Sequence, residues 1–143
     1  MELEAAEAEV VGLEASAFSQ ALAEPSARAR YAQLAAAAQS GAIPDELIGP
    51  LQTMLELVFD TGRPKNRAVL QGVFARTPRG KQRAAAAREV NRALETLRGQ
   101  LVVELRLASA GPSQQTLTIE TDRCRVQLEF DRQGARVTSL ETG

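Results

Sequence analysis

Apolar residues recur at helical spacing over the first two thirds of the chain and at alternate positions over the last third. Across residues 2–23, Leu3, Ala6, Val10, Leu13 and Ala17 follow a 3-4 spacing that predicts a helix. Glu2, Glu4, Glu7 and Glu9 fall in its first turns, where the helix dipole favours negative charge. Glu24-Pro25-Ser26 interrupts it, because the residue before proline avoids the helical region. A second helix is expected over 27–39, with Tyr31, Leu34 and Ala38 on one side and Ser40-Gly41 as its C-cap. Pro44 opens a third at about its first position. Leu47, Leu51, Leu55 and Val58 form its stripe, widened by Ile48. Pro50 falls inside this stripe. An interior proline costs about 3 kcal/mol, so a kink or a late start is expected there.

Asp60-Thr61-Gly62-Arg63-Pro64 reads as a turn, followed by a short helix over 65–76 with Val69, Leu70, Val73 and Phe74 inward. Thr77-Pro78 has the form of an N-cap followed by proline at the first helical position. The fifth helix then runs to about Arg98, burying Ala86, Val90, Leu94 and Leu97, and Gly99 stops it.

Beyond Gly99 the period falls from 3.6 to 2. Leu101, Val103, Leu105 and Leu107 alternate with Val102, Glu104 and Arg106. After the loop Ala110-Gly111-Pro112-Ser113, Leu117, Ile119 and Thr121 alternate with Thr118 and Glu120. Cys124, Val126, Leu128 and Phe130 then alternate with Arg125, Gln127 and Glu129. The Asp131–Gly134 turn leads to a last edge strand through Ala135, Val137 and Ser139. Short loops between successive strands favour an antiparallel meander. With one apolar and one charged face, helices should cover the apolar face alone. The expected fold class is α+β: four or five helices, then three or four antiparallel strands. The expected organisation is an acidic helical arm or hairpin over 1–40 and a core over 41–143, with helices in 44–98 and strands in 101–140. A single domain is the alternative.

Composition tempers the core. Of the 143 residues 44% are apolar, but 25 are Ala, and only four Phe and one Tyr accompany them, with no Trp. A core of Leu and Val, with close helix contacts at Ala, is expected. No run approaches the roughly 18 consecutive apolar residues of a membrane helix. The acidic opening resembles neither a secretory signal nor a transit peptide. The single Cys124 cannot form an intramolecular disulfide. The expectation is a cytoplasmic protein without membrane contact.

Charge changes the picture most. Residues 1–60 carry two basic and ten acidic side chains, residues 61–98 ten basic and two acidic, and residues 99–143 five basic and six acidic. The middle segment supplies candidate contacts for an anion or a protein partner: Arg63, Lys65, Arg67, Arg76, Arg79, Lys81, Arg83, Arg88 and Arg92, with Arg98 at its end. Arginine offers a planar fork that fits phosphate or carboxylate bidentately. The same run fits a solvated helix face or an internal partner for the acidic first helix. Phe74 is its one aromatic residue, and it is expected in the core, so stacking platforms for single strands are missing. Residues 44–76 have the outline of a helix-turn-helix, as does any tight helical hairpin. Gly80-Lys81-Gln82 is not a phosphate loop, because the preceding glycine, Gly72, is too distant and Gln82 replaces the hydroxyl residue.

Catalytic candidates are scarce. The chain has no histidine, which removes the commonest general base and metal ligand. Cys124 lies on the apolar side of a strand and reads as a small hydrophobe. Asp45-Glu46 reads as first-turn helix acids and Asp122 as a turn residue. No catalytic residue, cofactor or metal is assigned. The first helix offers a second candidate surface: Leu3, Val10 and Leu13 on one stripe, and Val11, Phe18 and Leu22 on another. A helix apolar on two sides must bury both, against its own domain, a partner or a second copy. The sequence therefore favours a non-catalytic interaction or regulatory module that binds a protein partner or itself. Nucleic acid or another polyanion on the 63–98 face, and a small ligand or an enzyme without histidine, are the alternatives.

Overall fold

The computed structural model describes residues 1–62 and 64–143; Arg63 lies outside the described residues. Five helices precede four strands: α1 (Ala5–Ala21), α2 (Pro25–Gln39), α3 (Asp45–Thr61), α4 (Arg67–Arg76), α5 (Pro78–Glu95), β1 (Val102–Gly111), β2 (Gln114–Thr121), β3 (Cys124–Asp131) and β4 (Gly134–Thr142). This is the α+β class. The chain forms two compact units, Met1–Gly80 and Lys81–Gly143.

In the first unit, the starts of α1 and α2 are held by carboxylates. The Glu4 N–H donates to the Glu7 carboxylate at 2.9 Å. Glu24 accepts from the Ser26 and Ala27 N–H groups at 3.0 and 2.7 Å, with Pro25 at the first turn of α2. Gly41, at φ 80°, turns the chain back so that the Leu3 N–H bonds the Gly41 carbonyl and the Ile43 N–H the Met1 carbonyl. α1 and α2 form a hairpin in which Val11, Ala15, Ala35 and Ala38 are buried. Toward its connecting loop Phe18 lies edge-on to Tyr31 at 4.6 Å. α3 starts beside Pro44 as expected and departs from expectation at Pro50, where no late start occurs, and at its C-terminal end. It starts at Asp45, runs through Pro50, and continues to Thr61, past the expected turn at Asp60. Burial explains this: Leu47, Leu51, Met54 and Leu55 lie in the core and hold the helix across the hydrogen bond that proline cannot make. Residues 1–40 and 41–80 thus share one core, completed by Leu34, Ile43, Leu70 and Val73.

Thr77 caps α5 as its sequence indicates. Its hydroxyl accepts from the Gly80 N–H at 3.1 Å and donates to the Phe74 carbonyl at 2.7 Å. In the second unit the sheet runs β1-β2-β3-β4, each pair antiparallel. Leu105, Ile119, Val126 and Leu140 lie in one cross-strand row, and Leu107, Leu117, Leu128 and Val137 in another. Val90, Ala93, Leu94 and Leu97 pack on Leu117, Cys124, Val126, Leu128, Ala135 and Val137. The opposite face carries Glu104, Glu120, Arg125 and Glu141 in one row. Thr121 closes the β2–β3 turn by accepting from the Cys124 N–H at 2.9 Å.

Candidate functional site

Among the described residues of the basic run, Arg67 and Arg76 lie on α4, Arg79, Lys81, Arg83, Arg88 and Arg92 on α5, and Lys65 and Arg98 in the flanking turns; several are already engaged within their own unit. Arg76, at the end of α4, donates to the Glu2 carbonyl at 2.9 Å and to the Glu7 carboxylate at 2.6 Å. Arg79 pairs with Glu56 on α3 at 2.5 Å. Arg67 stacks over the Phe59 ring at 5.7 Å. Lys65 is exposed. In the second unit Arg83 donates to the Arg132 carbonyl at 2.6 Å, while Lys81, Arg88, Arg92 and Arg98 are exposed. Part of the charge asymmetry is therefore internal: acids of α1 and α3 receive basic side chains at the α4–α5 junction. Such partly exposed pairs contribute about 0–1 kcal/mol each.

The two apolar stripes of α1 meet different surroundings. Val11 is fully buried. Leu3, Val10, Phe18 and Leu22 pack at the margin of the same core. α1 touches α2, α3 and α4, so both stripes find cover inside the unit. Leu13 is the exception, 64% exposed.

A larger apolar surface lies on β1. Every residue of this strand is exposed. Val103, Leu105 and Leu107 are 65%, 64% and 63% exposed, although Leu105 and Leu107 stand in the rows whose other members α5 covers. The cause is width. Four strands span roughly 14 Å between outer axes, whereas one helix with its side chains is about 10 Å across. α5 sits over the middle and far side of the sheet and leaves β1 bare. The chain's alternation marked these residues as apolar-face residues correctly; the signal for their exposure was that a single helix follows into a four-stranded sheet.

Natural edge strands are usually blunted by proline, lysine, bulges or shortness. β1 has ten residues without proline or lysine. Its bulges sit at its two ends, between Val102 and Glu104 and between Ser109 and Gly111, leaving Glu104–Ser109 regular. The charged side chains on its polar face are Glu104 and Arg106, which pair with each other at 2.5 Å.

An open cleft of about 910 Å³ separates α2 from α3, lined by Arg30, Tyr31, Glu46, Gln52, Thr53 and Arg79 among others. Burial pushes the Tyr31 hydroxyl pKa up, partly offset by Arg30. The cleft is polar and open, and Arg79 is already held by Glu56. Cys124 is buried, with its thiol 3.2 Å from the Gln100 side-chain oxygen. Among the described residues no helix is long and apolar enough to cross a membrane. Comparison with protein-family models, with curated proteins and with solved structures returns no match.

Proposed function

We propose that this chain is a non-catalytic protein-interaction module that receives its partner along β1. The observation that carries this reading is the uncovered apolar strip Val103, Leu105 and Leu107 on an unblunted edge strand. An exposed contiguous apolar patch marks an interaction surface, and a free edge offers main-chain hydrogen bonds to an added strand. Fully burying a Leu or Val side chain yields about 1.5–3 kcal/mol. These three start roughly two-thirds exposed, so covering them offers roughly 3–6 kcal/mol before ordering costs. The polyanion reading keeps fewer residues, since Arg76, Arg79 and Arg83 direct donors to Glu7, Glu56 and the Arg132 carbonyl.

The test is side-by-side affinity capture with the intact chain and its folded Leu105→Glu/Leu107→Glu variant. Binding that disappears in the variant supports β1 as the docking edge. Binding retained by both places the interaction elsewhere.

A further inference from the structure

Resting on that reading of β1, we propose that its partner is a second copy of this chain, joined β1 to β1 in antiparallel register about a two-fold axis through Leu105. The axis stands perpendicular to the sheet, so residues placed opposite one another must project from the same face. Successive strand residues alternate faces, which restricts the register to steps of two. Centring on Leu105 sets Glu104 of one copy opposite Arg106 of the other, twice by symmetry. Centring one residue earlier sets Glu104 against itself; centring one later sets Arg106 against itself. The Leu105 register alone matches both charges of this strand with opposite ones.

Glu104 has a further reason to accept this partner. Within its own sheet it lies directly across from Glu120, and like charges in that position are destabilising. The Arg106 of the other copy adds to the Arg106 that Glu104 already contacts within its own strand in offsetting this repulsion. On the apolar face the same register sets Leu105 against Leu105 and Val103 against Leu107. The strip left bare by α5 then lies at the centre of a continuous eight-stranded sheet. The pairing spans Val103–Leu107: Glu104–Leu107 lie in the regular stretch, and Val103 sits at the bulge that borders it. An isologous contact of this kind closes at two copies for this edge.

The proposal is tested by sedimentation velocity of the intact chain and its variants from low to high micromolar concentration. The wild type should form dimers. Glu104→Arg and Arg106→Glu should each weaken self-association by roughly tenfold, because each places like charges across the axis. Mixing these two variants should restore association as a heterodimer, and the double variant E104R/R106E should dimerise on its own. Both sites lie on the exposed polar face, so these variants keep the fold, verified by circular dichroism. A wild type that stays monomeric overturns self-pairing, as does a dimer indifferent to Leu105→Glu and to both charge reversals. Capture distinguishes the two failures. A monomer that holds a different protein through β1, and loses it with Leu105→Glu, leaves the docking edge standing without self-pairing. A monomer whose capture ignores that change removes both.

Discussion

Replacing Gly80 with Ala should destabilise the helical unit, while the same replacement at Gly72 should stabilise it. At Gly80 a Cβ would lie 1.9 Å from the Phe74 carbonyl oxygen, 2.7 Å from its carbon and 2.8 Å from the Ala75 Cα. All three are backbone atoms, so no rotamer change relieves the overlap. The first turn of α5 must instead move off the end of α4 by more than an ångström. That shift strains the contact and breaks the Thr77 cap, whose hydroxyl bridges the Gly80 N–H and the Phe74 carbonyl. Overpacking costs about 1–3 kcal/mol and a lost cap about 1 kcal/mol, against a propensity gain of at most about 1 kcal/mol. The net is a loss of about 2 kcal/mol, or roughly 10 °C in Tm for a unit of this size. Gly72 lies on the exposed side of α4 with nothing within 4 Å of a new Cβ. There Ala should raise stability by about 0.5–1 kcal/mol. Thermal and urea unfolding followed at 222 nm measure both. A Gly80→Ala protein as stable as wild type would refute the close approach of α4 and α5.

Three further outcomes follow from local chemistry. Glu24 has its carboxyl held below the ordinary value of 4.5 by the Ser26 hydroxyl, then by the Ala27 and Ser26 N–H groups. Its capping contribution is therefore fully present above that ordinary value and fades as pH falls through the lower folded value. Glu24→Gln should flatten this part of the acid limb in a series of urea unfolding curves, and an unchanged limb would remove the cap. Glu7→Gln should cost at most about 1 kcal/mol, and the difference from wild type should vanish in high salt. A salt-independent loss would mean that the Arg76 contact is not chiefly electrostatic. Cys124 should react with a thiol reagent only as fast as the sheet unit opens, so urea should accelerate labelling sharply. Rapid labelling of the native protein would contradict its burial.

The fold was legible wherever local pattern and global packing agree. Thr77-Pro78 marks the start of α5 because cap and proline both act within one turn. The alternation after Gly99 fixes which residues share a face, and the observed register keeps Leu105, Ile119 and Val126 together. α3 was harder, since Pro50 argues locally for a break while Leu47, Leu51 and Leu55 argue for continuity. Only the packing of the first unit decides between them. The candidate surface was half legible. The sequence identifies the basic residues but not their partners. Arg76 and Glu7 are separated by 69 positions, a distance that helical spacing cannot register. The exposure of β1 depends on how many strands one helix can cover, a property of the assembled layer rather than of any segment.

Amide hydrogen exchange along β1, measured across a dilution series, tests the central claim most directly. If β1 is the docking edge for a second copy, amides of Glu104–Leu107 that point away from β2 are protected in concentrated protein. They exchange at solvent rates once dilution separates the copies. Outward amides that exchange freely at every concentration, while those paired with β2 stay protected, would contradict the account.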